Sequence, residues 1–277
     1  MQYNNSKISK NFVITGASGS TGYGIAKHLV EKLDCNVLMC GRSKVKVNFK
    51  SKYKYIHGID LLNPEHLEKL KSEAASYFSE SFHIVNLTGT YNGQKPLVET
   101  PISELAEITD SIYKTVLYTA HTMLPLQIKR GGGHFIGISC NSTIYNYPFM
   151  VPFVGAKAAV NGLILSIAEE YGGNGINSNA FLCSTIYTKK EKRLKPNGDF
   201  KNWLKPWEIA EAIIWLVSNG TKINPKIKDI IHPRDHTIRH NQYGIYGNLI
   251  ELHHKSETFR NQTYIERIGF DKSIPFE

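Results

Sequence analysis

The clearest chemical signal in this 277-residue chain is a glycine-rich segment near its amino terminus. Residues 15–22 (TGASGSTG) follow an apolar run, residues 11–15, and precede a helical apolar pattern over residues 21–33. Glycines at a strand-to-helix turn let the backbone approach a pyrophosphate, and the helix amino terminus offers free N–H groups and a positive dipole end. The segment therefore predicts a dinucleotide site. Its expected binding residues are Gly16, Ser18, Gly19, Ser20, Thr21 and Gly22.

A second signal follows the next predicted strand, where the chain continues Gly41-Arg42-Ser43. In dinucleotide-binding folds an acidic residue at this point binds the ribose hydroxyls of NAD. An arginine can instead bind the 2′-phosphate of NADP with two parallel hydrogen bonds. We therefore expect Arg42 and Ser43 to select NADP(H), with an ordinary surface arginine as the alternative.

Strand and helix patterns alternate along most of the chain, as the hydrophobic periodicity indicates. Strands are predicted at residues 11–15, 37–40, 55–58, 82–88, 134–139, 176–182 and 227–231, and helices at 21–33, 64–78, 104–127, 156–170 and 207–218. This alternation predicts an α/β fold, a Rossmann-type doubly wound parallel sheet of about seven strands with helices on both faces. Residues 183–206 are expected to form a long basic loop.

The pattern also suggests a division of the chain. Residues 1–233 are predicted to form one NADP(H)-binding domain, and residues 234–277 an extension that packs on the domain or on a second subunit. The extension contains four histidines that are candidate metal ligands: His236, His240, His253 and His254. No acidic residue lies between the first two, and the last two are adjacent, so we predict packing or surface histidines and no metal.

Composition points to a cytoplasmic protein without a membrane span. The first ten residues lack an apolar signal region, no apolar run approaches about 20 residues, and the four cysteines lack metal or redox spacing. The formal net charge is +9, with basic clusters at residues 44–54 and 189–195. These clusters are either solvated faces or attract a phosphorylated cofactor or substrate. No nucleic-acid motif accompanies them, so no nucleic-acid partner is expected.

With these residues in place, the chain resembles the short-chain dehydrogenase/reductases from about residue 10 to residue 233. The glycine segment resembles the TGxxxGxG motif of that family, except that Ser20 stands at the middle glycine. The resemblance implies further cofactor contacts outside the glycine segment. They are Asp60 and Leu61 after the third strand, Asn86 and Gly89 in a variant of the NNAG motif, Lys157, and Thr188.

The same resemblance assigns the chemistry to an Asn-Ser-Tyr-Lys set, of which this chain keeps the lysine. Lys157 completes the YxxxK spacing, but Phe153 stands at the tyrosine position. Cys140 stands at the serine position, thirteen residues before Phe153, and Ile112 at the asparagine position. Phenylalanine has no hydroxyl to exchange a proton with a substrate, which in general costs about 10²–10⁴-fold in rate.

Three tyrosines are candidates to supply the missing hydroxyl. Tyr145 and Tyr147 follow the fifth predicted strand, and Tyr187 lies in the segment that borders the nicotinamide in the family. Simple packing of these aromatic residues is the alternative for each of them.

Three functions therefore remain open. In the first, the chain is an NADP(H)-dependent oxidoreductase for carbonyl or enoyl reduction or alcohol oxidation, with an atypical active site. Its small-molecule substrate is then expected to be anionic or thioester-linked, because the basic residues attract such groups. Alternatively, it is a non-catalytic homologue that binds NADP(H) and pairs with or regulates an active enzyme, or it performs non-redox chemistry on this scaffold. The resemblance implies a homodimer or homotetramer through the helices at 104–127 and 153–171, whereas the non-catalytic alternative implies a heterodimer.

Overall fold

The computed structural model describes residues 9–89, 95–145, 147–220, 225–233, 239–242 and 244–254. The strands are β1 (Asn11–Ile14), β2 (Asn36–Gly41), β3 (Tyr53–His57), β4 (His83–Asn86), β5 (Gly133–Cys140), β6 (Ile176–Cys183), β7 (Ile231–Pro233), β8 (His240–Asn241), β9 (Gly244–Ile245) and β10 (Asn248–Leu252). The α-helices are α1 (Ser20–Glu31), α2 (Pro64–Tyr77), α3 (Ile102–Thr109), α4 (Thr115–Lys129), α5 (Ser142–Tyr145), α6 (Val151–Tyr171), α7 (Lys189–Leu194) and α8 (Pro206–Val217).

Eight strands form one sheet in the order β3-β2-β1-β4-β5-β6-β10-β7. Every neighbouring pair is parallel except β10 and β7, which are antiparallel. The chain moves outward in one direction from β1 to β3 and in the other from β4 onward. The strand order therefore reverses between β1 and β4, and a crevice opens there at the carboxyl ends of the strands, where ligands of such folds bind.

Helices cover both faces of the sheet, which explains why most of its strands are apolar throughout. One face carries α1 and α8, with Ile25, Leu29 and Ile213 fully buried against it. The other carries α2, α4 and α6, with Leu70, Met123 and Ile164 fully buried. The predicted Rossmann-type doubly wound fold, with helices on both faces of a mostly parallel sheet, is confirmed.

The helix predicted at residues 104–127 is a continuous helical segment that contains one irregular turn. Helix α3 passes into a turn of π-helix, Asp110–Lys114, and then into α4. Such single-turn bulges are frequent at functional sites because they change the direction in which side chains project. Here the turn includes Ser111, which lines the crevice, and Ile112, which is fully buried.

The carboxyl-terminal part of the sheet differs from the sequence prediction. The strand predicted at residues 227–231 is wrong, because Pro225–Ile230 is a 3₁₀ helix and only Ile231–Pro233 is extended. The seventh parallel strand is β10, which pairs with β6 from Asn248↔Asn179 to Leu252↔Cys183. The expected boundary at residue 233 thus falls between two paired strands of one sheet. Short apolar alternation in a polar segment (NLIEL) is a weak signal, and only pairing with β6 makes it a strand.

One further expectation needs correction. Residues 183–206 are not one loop, since they contain helix α7, which Thr188 caps by accepting a hydrogen bond from the N–H of Glu191 at 3.1 Å. In addition, α6 with its following turn (Val151–Asn174) is long and apolar enough to cross a membrane by length and composition. One such helix is weak evidence for a membrane span, because the core helix of a soluble protein passes the same test. Its buried side, which includes Lys157 and Asn161, packs on β5 and β6.

Candidate active site

A cleft of about 230 Å³ lies at the point where the strand order reverses. It brings together many of the residues that the sequence assigned to the cofactor: Gly16, Ser18, Gly19, Arg42, Asp60, Leu61 and Gly89. It is also lined by residues that sequence reasoning missed: Cys40, Gly41, Ile59, Leu62, Leu87, Thr88, Ser111 and Thr115. The predicted residues come from four separate segments, so their convergence is a property of the tertiary fold.

The glycine segment is packed so closely that side chains would not fit. Gly16 has φ of +67°, and a β-carbon there would lie 2.9 Å from the carbonyl oxygen of Leu87. A β-carbon at Gly22 would lie 2.7 Å from the carbonyl oxygen of Gly16. These contacts account for the glycine spacing, because the loop must turn sharply and still place helix α1 against the sheet.

The amino terminus of α1 faces this cleft and offers N–H donors. Gly19 is the N-cap, and Ser20 and Thr21 are the first two residues of the helix. Among the described residues no side chain caps this end. The unused N–H groups and the positive end of the helix dipole therefore suit an anionic group such as a pyrophosphate.

The end of β2 is organised around a contact between Gly41 and Ser18. A β-carbon at Gly41 would lie 2.7 Å from Ser18 Oγ, so the serine sits directly over the glycine backbone. Tyr55 of β3 holds the same region, because its hydroxyl donates to the carbonyl oxygen of Ser43 and is also hydrogen-bonded to Ser18. Burial raises the pKa of Tyr55, so the phenol stays protonated as a donor. Arg42 and Ser43 are exposed.

Asp60 and Asn86 shape the cleft in different ways. Asp60 Oδ1 accepts a hydrogen bond from the N–H of Leu62 at 3.0 Å, which fixes the turn after β3. Asn86 is 2% exposed, and its amide nitrogen donates to the carbonyl oxygen of Ile136 at 3.5 Å. Asn86 therefore lies beneath the cleft and ties β4 to β5.

Hydroxyl groups line the wall that the π-helical turn forms. Thr88 and Thr115 share a hydrogen bond of 2.7 Å between their Oγ1 atoms, and Thr115 also donates to the carbonyl oxygen of Ser111 at 2.8 Å. Ser111 and Thr115 are four residues apart, the spacing that places two side chains on one helix face. That spacing was the available sequence signal for these missed residues.

Lys157 lies buried near this wall. Its Nζ donates to the carbonyl oxygen of Ile138 at 2.7 Å. Burial lowers the pKa of Lys157, and the nearby Cys140 and Cys183 act in the opposite direction. A β-carbon at Gly89 would lie 2.9 Å from Ile112 and 3.8 Å from Nζ of Lys157. The lysine and the isoleucine thus both border the backbone of Gly89.

Cys140 stands at the carboxyl end of β5, in register with Cys183 at the end of β6. Its sulfur accepts a hydrogen bond from the N–H of Ser142 at 3.5 Å. Burial raises the pKa of Cys183 far above the ordinary value of a thiol. The two sulfur side chains therefore end adjacent strands at the edge where ligands are expected.

The three candidate tyrosines have different surroundings. Tyr187 packs among Phe200 and Trp203, and Nζ of Lys205 lies 4.6 Å from the centre of its ring. The Tyr145 hydroxyl donates to Glu251 Oε2 at 2.8 Å. Tyr147 is half-buried in the segment that leads to α6.

The basic cluster at 189–195 is largely helical, and among the described residues no site for a metal ion is found. In helix α7, Lys189 and Lys190 are exposed, while Nζ of Lys192 lies 4.9 Å from the ring centre of Phe200. Of the four histidines considered for a metal, His253 and His254 face Glu251 and Glu208 separately. His236 and the side chain of His240 lie outside the described residues.

Comparison with known proteins agrees with this geometry. Residues 10–198 match the family model described as short chain dehydrogenase. One curated relative is an uncharacterised oxidoreductase of Staphylococcus haemolyticus, which is 26% identical over 217 residues, covering 76% of this chain and 92% of the relative. Another is an NADP-dependent 3-hydroxy acid dehydrogenase of Escherichia coli, 20% identical over 225 residues, covering 76% of this chain and 90% of the relative.

Solved structures show the same fold. A short-chain type dehydrogenase/reductase from Mycobacterium ulcerans superimposes with a TM-score of 0.68 at 16% identity, covering 77% of this chain and 85% of its own. A putative gluconate dehydrogenase from Agrobacterium tumefaciens superimposes with a TM-score of 0.68 at 19% identity, covering 76% of this chain and 89% of its own. At these identities the likeness concerns the fold alone.

Proposed function

Because the chain belongs to the short-chain dehydrogenase family, we propose that it is an NADP(H)-dependent oxidoreductase that reduces carbonyl or enoyl groups or oxidises alcohols. The observation that carries this proposal is the cleft between β1 and β4. There the uncapped start of α1, the close-packed glycines and Arg42 converge from separate segments. The relatives named above are oxidoreductases, and one of them is NADP-dependent.

The residues of the cleft fit a phosphorylated dinucleotide. The start of α1 would hold the pyrophosphate, and Arg42 would bind the 2′-phosphate at the end of β2, where the chain reads Gly41-Arg42-Ser43 without an acidic residue. Gly16 packs against the backbone of Leu87 and Gly41 against Ser18, so these glycines let the segments that line the cleft lie close together. Lys157 would hold the nicotinamide ribose from beneath Gly89. Thr188 is proposed to contact the nicotinamide end of the cofactor.

A bound nicotinamide supplies the hydride chemistry, and the chain's own residues must orient the substrate and move its proton. Phe153 has no hydroxyl for that step, so the active site is atypical for the family. We propose a small-molecule substrate, anionic or thioester-linked, because the exposed lysines of α7 give that side a positive field.

Two wider features belong to the same proposal. We propose a homodimer or homotetramer in which the partly exposed α6 packs on a second copy. We also propose a cytosolic enzyme, in line with the free thiols of Cys40, Cys140 and Cys183.

The experiment that tests the function measures binding and turnover separately. NADPH and NADH are titrated into the purified protein by fluorescence, and NADPH oxidation is then followed with a panel of aldehydes, ketones, enones and acyl thioesters. We expect tighter binding of NADPH and turnover of at least one class. Binding of NADPH without turnover of any member, or of the matching alcohols with NADP⁺, would contradict the oxidoreductase proposal. Equal binding of NADH would contradict the cofactor preference.

A further inference from the structure

A cluster of polar side chains outside the cleft joins three segments that are far apart in the sequence. The Tyr145 hydroxyl donates to Glu251 Oε2 at 2.8 Å. The same carboxylate oxygen lies 3.8 Å from Nε2 of His253. The His253 ring stacks on that of His232, with 4.3 Å between ring centres. The contacts therefore run from helix α5 through β10 to β7.

The register of the sheet places this cluster at the edge where substrate is expected. Cys140, Cys183 and Leu252 lie side by side at the carboxyl ends of β5, β6 and β10. Glu251 immediately precedes Leu252, and helix α5 with Tyr145 begins two residues after Cys140. Ligands of open α/β sheets bind outside the carboxyl ends of the strands, and Tyr145 and Glu251 lie at that edge of the sheet.

Helix α5 is fixed to both elements that carry the family's catalytic positions. The Thr143 hydroxyl donates to the carbonyl oxygen of Cys140 at 2.9 Å and accepts from Asn161 Nδ2 at 3.1 Å. Asn161 follows Lys157 by one turn of α6. The position of the Tyr145 side chain is therefore set relative to Cys140 and Lys157.

Burial and hydrogen-bond direction suit the cluster to proton transfer. The side chain of Glu251 is 12% exposed and that of His253 is 17% exposed, so the path runs from a sheltered carboxylate to a ring nearer the surface. Nδ1 of His253 lies 3.2 Å from the carbonyl oxygen of His254, an acceptor, so Nδ1 carries the proton. In the neutral ring, Nε2 then presents a lone pair toward Glu251.

We propose that Tyr145, Glu251 and His253 form a proton relay for the substrate oxygen, in place of the hydroxyl that Phe153 lacks. The inference rests on the proposed function. In alcohol oxidation the substrate O–H gives its proton to Tyr145 Oη, while Tyr145 passes its own proton to Glu251. Glu251 in turn passes one through a bridging water to Nε2 of His253, 3.8 Å away, and so to solvent. A bound oxidised nicotinamide dinucleotide would supply the acceptor for the substrate hydride. In carbonyl reduction every transfer runs in reverse.

A purely structural clamp between α5 and β10 would show the same contacts, so the test must separate the two roles. Glu251→Gln keeps an amide oxygen that accepts from Tyr145 but cannot take up a proton. Glu251→Asp keeps the carboxylate. With the fastest substrate of the panel described above, we expect Tyr145→Phe and Glu251→Gln each to lower kcat by about 10²–10⁴-fold, with partial recovery in Glu251→Asp. The affinity for NADPH should stay within about threefold.

A second measurement reports on the contact without turnover. The protein is labelled with 3-fluorotyrosine, and the ¹⁹F resonance that disappears in Tyr145→Phe is assigned to residue 145. We expect this resonance to move in Glu251→Gln, because the phenol exchanges a carboxylate partner for an amide. The matched controls are Tyr77→Phe, at the carboxyl-terminal end of α2, and Glu68→Gln, which breaks an exposed ion pair with Lys71. Neither control should change kcat or the assigned resonance.

The outcomes distinguish the relay from the proposed function. An active parent in which Glu251→Gln retains full kcat overturns the relay alone, and so does an unmoved ¹⁹F resonance. A parent that turns over no substrate overturns the oxidoreductase proposal and the relay with it. Loss of kcat in Glu251→Gln with unchanged NADPH binding supports the relay.

Discussion

The ammonium group of Lys157 lies 5.8 Å from the centre of the Phe153 ring, and it donates to the carbonyl oxygen of Ile138. In this arrangement an aromatic face occupies the place where the family resemblance expects a phenol. The lysine is thus retained together with its backbone partner, while the hydroxyl beside it is absent. In the proposed oxidoreductase, Lys157 would hold the ribose, and the substrate proton would come from a group other than Phe153.

If the relay through Tyr145 is correct, restoring the family pattern should bypass it. The double variant Phe153→Tyr with Cys140→Ser places a phenol beside Lys157 and a hydroxyl at the end of β5. In this background we expect Tyr145→Phe to cost less than about tenfold in kcat, against about 10²–10⁴-fold in the parent. Steady-state kinetics of the four proteins measures the difference. An equal cost in both backgrounds would show that the restored phenol does not reach the substrate.

Arg42 is expected to set the cofactor preference. Removing a bidentate charged contact to phosphate costs about 1.5–3 kcal/mol, so Arg42→Ala should weaken NADPH binding by about 10- to 100-fold and barely change NADH binding. Lys46→Ala, which removes an exposed charge four residues away, is the matched control. Equal weakening of both cofactors by Arg42→Ala would mean that Arg42 does not recognise the 2′-phosphate.

Gly41 is expected to tolerate no side chain. A β-carbon there would lie 2.7 Å from Ser18 Oγ and 2.9 Å from the Ser18 backbone nitrogen, so the glycine segment must move. We expect Gly41→Ala to weaken NADPH binding and to destabilise the fold by about 1–3 kcal/mol. Gly162→Ala is the control, because no described atom lies within 4 Å of a β-carbon there. That change should stabilise α6 by about 0.5–1 kcal/mol in urea unfolding.

Acidification should destabilise the fold through two buried histidines at the opposite end of the sheet. Burial lowers the pKa of His83 to about 4 and that of His134 well below its ordinary value. His83 Nδ1 accepts the backbone N–H of His134 at 3.0 Å, and Nε2 donates to the carbonyl oxygen of Ser9 at 3.1 Å. Both rings are therefore neutral in the folded protein at neutral pH.

As the pH falls below about 6.5, the unfolded chain takes up these protons first, so stability is lost until the pH reaches the folded pKa near 4. The loss from His83 is on the order of 3 kcal/mol. Urea unfolding of the parent and of His83→Gln, at several pH values from 7 to about 4, measures it. The variant should have a smaller free energy of unfolding than the parent at neutral pH, but it should lose less of that free energy on acidification. Parallel pH curves would contradict the assignment to His83.

The amino acid sequence by itself determined the glycine-rich turn that lines the cleft. Glycine spacing, the apolar strand before it and the helical pattern after it are local signals, and local geometry follows from them. The same holds for Arg42 after β2, and for the alternation of strands and helices that predicted the parallel sheet. Lys157 and Phe153 could be placed because they lie four residues apart on one helix.

Only the tertiary structure decided where the sheet ends and which side chains meet at its edge. Residues 248–252 form a strand because β6 offers an unpaired edge to them, and no local propensity encodes that pairing. The contact of Tyr145 with Glu251 follows from it, across 106 residues of sequence. The wall formed by Ser111, Thr115 and Thr88 likewise depends on one irregular turn in a long helix. Such contacts arise from long-range packing, which periodicity and spacing do not record.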